Sequence, residues 1–198
     1  MKLYGNSASP FARKCQVVAH ELDLKLEVIR TLPVQDENFR RVNPLGKIPA
    51  LVLDDGSVLI DSPVICEYLN HLGGGKFFPG NNIFKNSSGR WKALGLQALG
   101  DGLADAAVAF IMLGREAAVP ENYRARQMDT ITATLDVLER TKFAETPTIG
   151  EIAVACAIGY VSFRLPDMDW RASRPKLAAW YDRFCEYPAM KATVPTAP

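Results

Sequence analysis

The sequence predicts two halves of different class, an α/β layer first and a set of packed helices after it. Three observations carry this reading. Short apolar segments alternate with helical patterns up to about Leu72. A Gly73-Gly74-Gly75 break follows. From about Ser87 onward only helical periodicity is left, with no convincing strand. The chain has 198 residues, 48% hydrophobic and 23% charged, which is enough to bury one large core or two small ones without staples.

The elements follow in order. Lys2 to Tyr4 predicts a short strand, and Asn6-Ser7-Ala8-Ser9-Pro10 a turn. Ser9 is the N-cap of the next helix, with Pro10 at its first position, where a missing N–H costs nothing. Phe11, Cys15, Val18 and Leu22 give that helix an apolar face. Alternation at Leu24, Leu26 and Val28 predicts a second strand over Leu24 to Ile29, so the opening unit is β-α-β with a parallel pair. Thr31 to Asn43 is polar, with an irregular helix near Glu37 to Val42. Ile48 to Leu53 is a strand, Asp54-Asp55-Gly56-Ser57 a hairpin turn, and Val58 to Ile60 the returning strand. Ser62 then caps a helix running from Pro63 to about Leu72, with Val64, Ile65, Tyr68 and Leu69 as its apolar set.

The second half predicts helices over Gly89 to Arg115, Asn122 to Lys142, from Thr148 onward, and from Arg174-Pro175 to near Tyr187-Pro188. Thr148 and Glu151 form a T-x-x-E capping box. The predicted division is residues 1–74, a linker at 75–86, and a helical domain at 87–198. Within the linker, the Phe77-Phe78 pair is either an interface anchor or packed inside its own subunit.

Composition excludes several classes. The formal net charge is +1, and no basic block offers a footprint for nucleic acid or a membrane surface. The first residues lack the apolar run of a secretory signal, and no apolar run approaches a membrane span. Cys15, Cys66, Cys156 and Cys185 are scattered, form no C-x-x-C or zinc pattern, and suggest a reducing cytoplasm. His20 and His71 are far apart in sequence, so no metal site is expected.

Two segments carry a resemblance. Asn43-Pro44-Leu45-Gly46-Lys47-Ile48-Pro49-Ala50-Leu51 resembles the N-P-x-G-K-[IV]-P-x-L signature of the cytosolic glutathione transferases, and Ile60-Asp61-Ser62-Pro63-Val64-Ile65-Cys66-Glu67-Tyr68-Leu69 resembles their [ED]-S-x-x-I-x-x-Y-L signature. Ser9-Pro10-Phe11 with Arg13 is similar to the active-site turn of serine-type members, and the overall pattern to a bacterial branch of the superfamily. The resemblance implies a thioredoxin-like N-terminal domain that holds glutathione, an all-helical C-terminal domain, no metal, and a homodimer.

It also implies roles for particular residues. The bond before Pro49 would be cis, freeing the backbone N–H and C=O of Ile48 to pair with the cysteinyl backbone of glutathione. Ser62, at a helix N-terminus, would hold the γ-glutamyl carboxylate. Asp61 would face the γ-glutamyl ammonium, although the family more often has the longer Glu or Gln there. Lys47 would pair with the glycine carboxylate, or be a solvated loop lysine. Asp101, on the first helix of the second half, would reach the ammonium across a dimer interface, while Asp105 reads as solvated.

Ser9 carries the chemistry. A free thiol has a pKa of about 8.5, so a hydroxyl donor at a helix N-terminus stabilises the thiolate of bound glutathione. The bound thiolate then attacks a small hydrophobic electrophile. Ser9 as a helix cap alone is the alternative, and Ser7 is a rival that lacks the Pro10 context. Cys15 falls on the apolar face and reads as a core thiol, which with the missing C-x-x-C argues against a thiol–disulfide oxidoreductase. Phe110, Met112 and Trp170 line an electrophile pocket or belong to the core, and Arg115 and Arg164 are available to an anionic co-substrate. A binding module without catalysis is the second reading of the whole chain.

Overall fold

The protein is described here from a computed structural model, which covers residues 1–33, 35–80, 88–114, 116 and 120–197. The elements are β1 (Lys2–Gly5), α1 (Pro10–Glu21), β2 (Glu27–Arg30), α2 (Phe39–Val42), β3 (Ala50–Val52), β4 (Val58–Leu59), α3 (Ser62–Leu72), α4 (Ser88–Leu113), α5 (Glu121–Glu139), α6 (Ile149–Arg164), α7 (Pro175–Cys185) and α8 (Pro188–Ala192). The sheet order is β2-β1-β3-β4. β1 and β2 run parallel, joined through α1, while β3 is antiparallel to both β1 and β4. This is the predicted α/β half, followed by the predicted helical half.

Local chemistry explains the boundaries. Ser9 caps α1, its Oγ accepting the Ala12 N–H at 3.2 Å. The β3–β4 turn uses Gly56 at φ 86°, and Asp55 accepts the Ser57 N–H at 2.8 Å. Thr148 caps α6, accepting the Gly150 N–H at 3.2 Å, and Glu151 accepts the Thr148 N–H at 2.9 Å.

Four expectations need correction. β2 begins at Glu27, so Leu24 and Leu26 lie in the connection and the alternation loses its phase; Val28 is 44% exposed on what is an edge strand. α3 begins at Ser62, because the Asp61 carbonyl accepts the Ile65 N–H at 2.9 Å; Asp61 is therefore the cap and Ser62 the first helical residue. On that helix Ile65, Cys66 and Leu69 are buried and Val64 is exposed. Pro188 does not end the last helix but opens α8, at a position where proline is preferred.

α4 is the fourth case. Its 26 residues include an 18-residue window of mean hydropathy 1.5, long and apolar enough to cross a bilayer, against the expectation that no run is. Glycines and alanines interrupt the large side chains and hide this from the eye. A third of that window is buried in the fold, Asp101 and Asp105 stand within the helix, and the helix packs on α5 and α6.

The core is continuous between the halves. Leu3, Cys15, Val18, Ile65 and Leu69 from the first half join Leu103, Ile131, Ile152 and Val161 from the second. Helix α1 packs against α3 on one side and against α6 and α8 on the other. Phe77 and Phe78 are buried at 1% and 2% exposure within their own chain. The Phe77 carbonyl accepts the Ile149 N–H at 3.0 Å, closing the N-terminus of α6. That settles the pair as internal packing.

α4 and α6 approach closely at glycine. A Cβ on Gly100 would lie 2.7 Å from the Val154 backbone nitrogen and 2.8 Å from the Ala153 carbonyl carbon. Gly100→Ala is therefore expected to force the helices apart and cost about 1–3 kcal/mol, read as a lower midpoint in urea denaturation. An unchanged midpoint would show that the α4–α6 contact gives way freely.

Candidate functional site

Three chain segments meet at one edge of the sheet. β1 ends there and β3 begins there, because Tyr4 pairs with Ala50. β4 also ends there, because Leu59 pairs with Leu51. The turn leading to Ser9, the residues before Ala50, and the start of α3 are consequently neighbours by topology. Ser62 also lies against α1, with its carbonyl 4.0 Å from the Cys15 sulfur.

The first segment is a locked turn. The Asn6 side chain accepts the Ala8 N–H at 3.1 Å and donates to the Thr31 carbonyl at 3.0 Å. The Asn6 carbonyl accepts the Ser9 N–H at 3.2 Å. Ser9 is 9% exposed, and its Oγ uses a lone pair on Ala12. Among the described residues its O–H proton has no acceptor. The hydroxyl is thus a cap by its lone pair and a free donor by its proton.

The second segment is the N-P-L-G-K turn. Asn43 is buried; its side chain donates to the Lys47 carbonyl at 2.6 Å and accepts the Leu45 N–H at 3.1 Å. Gly46 takes φ 61°, and its N–H reaches the Asn43 carbonyl at 2.9 Å. The Ile48–Pro49 peptide bond is cis. Lys47 is exposed, Ile48 half-buried and Pro49 buried.

The third segment is the N-terminus of α3. The Asp61 side chain is exposed and makes no capping bond. Ser62 is 2% exposed, and among the described residues its side chain has no hydrogen-bond partner. The exposed Asp61 carboxylate and the helix start lie side by side, an acceptor beside backbone donors.

Asp101 has a partner within its own chain. Lys14 of its own chain, 1% exposed, donates to both carboxylate oxygens at 2.6 Å. Burial alone would lower the Lys14 pKa, but the Asp101 carboxylate and the other groups around it outweigh it and raise it. Asp105, one turn along, is exposed; partial burial raises its pKa first, then the Asp101 charge, with Lys47 pulling the other way. The acids of α4 and the exposed Asp61 and Lys47 therefore share one electrostatic field.

Other sequence candidates lie elsewhere. Trp170 is buried, donates to Ser162 Oγ at 3.1 Å, and meets Tyr181 edge-on, so it is core. Phe110 carries the Arg124 guanidinium over its ring at 4.1 Å, and Met112 is 40% exposed. Arg164 stacks on Phe163 at 4.6 Å. Arg115 lies outside the described residues. Ser7 spends its hydroxyl on the carbonyls of Thr196 and Ala197. Cys15 and Cys66 are fully buried with sulfurs 3.8 Å apart; burial raises the Cys15 pKa and pushes Cys156 up to about 12, so Cys15 and Cys156 stay protonated. Among the described residues no group of three or more His, Cys, Asp or Glu side chains could hold a metal.

Sequence reasoning missed Arg13 and Lys14 as buried residues. The signal was faint, since the buried side of α1 takes in Pro10, Lys14, Val17 and Val18, a helical repeat interrupted by a charge.

The comparisons agree with this architecture. A family model described as the N-terminal domain of glutathione S-transferase matches residues 3–77, and one described as the C-terminal domain matches residues 121–183. The chain belongs to the glutathione S-transferase family. It is 35% identical over 188 residues to the uncharacterized GST-like protein YibF of Escherichia coli (strain K12), covering 89% of this chain and 90% of that one. A crystal structure of a glutathione transferase family member from Pseudomonas fluorescens Pf-5 with bound glutathione is 41% identical, with a TM-score of 0.85 and 99% of each chain covered. A glutathione S-transferase from Methylobacillus flagellatus KT with glutathione bound is 32% identical, with a TM-score of 0.90, covering 98% of this chain and 99% of that one.

The Lys14–Asp101 pair gives a prediction. Lys14→Met strands a partly buried carboxylate and is expected to cost about 3 kcal/mol or more, whereas the double variant Lys14→Met/Asp101→Leu recovers most of that. Urea denaturation of the three proteins measures it. Equal losses in the single and double variants would mean that the buried amine is held by packing alone.

Proposed function

We propose that the chain is a serine-type glutathione transferase that ionises the glutathione thiol for attack on a small hydrophobic electrophile. The observation that carries this is the Ser9 hydroxyl. It is fixed at the N-terminus of α1 by Ala12, and its proton is uncommitted. A thiol placed against it meets a hydrogen-bond donor and the positive end of a helix together, and both favour the thiolate. Ser9 forms no bond to carbon. It holds the sulfur as an anion, and the bound thiolate supplies the electron pair.

Glutathione occupies residues 1–74 in this reading. Its cysteinyl backbone pairs with Ile48 beside cis-Pro49, its γ-glutamyl carboxylate sits on Ser62 and the N-terminus of α3, and its ammonium faces Asp61. Its glycine carboxylate lies toward Lys47. The electrophile lies against the helical domain at 87–198, across the linker at 75–86. Family membership and the glutathione-bound relatives support the cofactor. No metal takes part, and the setting is the cytoplasm.

The functional unit is a homodimer. Along α4, Trp91 is 66% exposed, Ala98 is exposed, and a Cβ on Gly95 or Gly102 would meet nothing within 4 Å. That open face of small residues beside one large aromatic admits a second helix at close range. Asp101 keeps its role toward the partner's ammonium only through oxygen lone pairs not already used by Lys14.

Ser9→Ala is expected to leave glutathione affinity within about threefold while raising the bound thiol pKa by about one to two units. Calorimetry and thiolate absorbance near neutral pH measure the two effects. A wild-type protein that binds no glutathione would instead favour a fold used as an interaction module. Ala98→Glu is expected to convert the dimer to a monomer in sedimentation equilibrium, with the far-ultraviolet spectrum unchanged.

A further inference from the structure

Ser7 is the residue of the Asn6–Ser9 turn whose groups are satisfied by the far end of the described chain. Its hydroxyl donates to the Thr196 carbonyl at 3.2 Å and lies 3.4 Å from that of Ala197. Its own carbonyl accepts the Thr196 N–H at 3.4 Å. Asn6 and Ser9, by contrast, are held from within the first half, through Thr31, Ala8, Ala12 and Arg13.

The segment that reaches Ser7 is itself anchored on α1. Arg13 is 3% exposed. Its Nε donates to Thr193 Oγ1 at 3.3 Å, and its Nη2 to the Met190 carbonyl at 3.1 Å. Thr193 in turn donates to the Ala189 carbonyl at 2.7 Å. The third guanidinium nitrogen, Nη1, is also buried. It is packed where a Cβ on Gly159 would stand, with the Tyr181 hydroxyl close by.

We propose that Ser7 and Arg13 are positioning residues. Arg13 fastens residues 190–193 to α1, and Ser7 receives residues 196–197, so that the end of the described chain is strapped across the turn that presents Ser9. The strap joins the helical half to the thiol site through the backbone one residue away from Ala8 and two from Ser9. Lifting residues 193–197 frees the Ser7 carbonyl and loosens the Ser9 hydroxyl. The helical domain thereby acts on thiol ionisation without touching the sulfur. This inference rests on Ser9 as the thiol's hydrogen-bond donor.

The test uses the full chain, a chain ending at Val194, and Ser7→Ala. Hydrogen exchange of the unliganded protein is read over the Asn6–Ala12 peptide. The apparent thiol pKa is read from the pH dependence of thiolate absorbance with glutathione bound. Loss of an ordinary hydrogen bond corresponds to about tenfold. The shortened chain is expected to exchange the turn amides about tenfold faster and to raise the thiol pKa by about one unit, with Ser7→Ala giving a smaller shift of the same sign. Packing alone would lower the melting temperature and leave both readouts unmoved, and that result overturns the proposal. If wild type shows no thiolate, the Ser9 reading fails by itself, and unchanged exchange in the shortened chain still overturns the strap.

Discussion

Helix α1 is covered on two flanks, by α3 on one side and by α6 and α8 on the other. Much of the remaining structure follows from that constraint. A helix with two buried flanks cannot send its basic residues to water. Arg13 and Lys14 are accordingly 3% and 1% exposed, and each must find oxygen partners inside the protein. Lys14 finds Asp101 on α4, and Arg13 finds the Met190 carbonyl and Thr193 beyond α7. These polar links are specific in direction where apolar packing is not. They fix how the helical half sits on the sheet, and hence which part of it stands beside the N-terminus of α1. A buried ion pair adds little stability over an apolar pair of the same shape, so its value here lies in register.

The same constraint governs the site. The N-terminus of α1 is held by the fold on both sides, so the Ser9 Oγ has little freedom. A flexible serine would exchange its hydroxyl proton with water. A serine already serving as a cap has one lone pair occupied and its donor direction restricted. The two uses of the hydroxyl therefore reinforce each other. Capping and donation do not compete, because one draws on oxygen lone pairs and the other on hydrogen.

Much of this was legible in the sequence, and the reasons differ by residue. Ser9-Pro10, Thr148 with Glu151, and Asp54-Asp55-Gly56-Ser57 could be read because caps and turns are local chemistry with few alternatives. The motif around Pro49 was legible through resemblance, and the cis bond follows the family pattern. The errors came where local signals were ambiguous or tertiary contacts decide. Leu24, Leu26 and Val28 alternate, but only Glu27–Arg30 pairs with β1, so strand register was set by the sheet and not by the pattern. Ser62 and Asp61 are both good caps, and which of them opens α3 depends on one carbonyl–amide bond. Burial of Lys14 had only a faint sequence signal, its place on the apolar repeat of α1, because its partner lies 87 residues away.

That separation bears on what a relative can share. The motifs over Asn43–Leu51 and Ile60–Leu69 are continuous stretches of chain, so a resemblance there is carried by neighbouring residues. Side chains of the helical half are placed by contacts such as Arg13–Met190 and Lys14–Asp101, with partners far apart in the chain. A small change in α4 or α8 would alter those contacts while leaving both motifs intact. Chains of this architecture can therefore diverge in substrate while keeping one thiol chemistry.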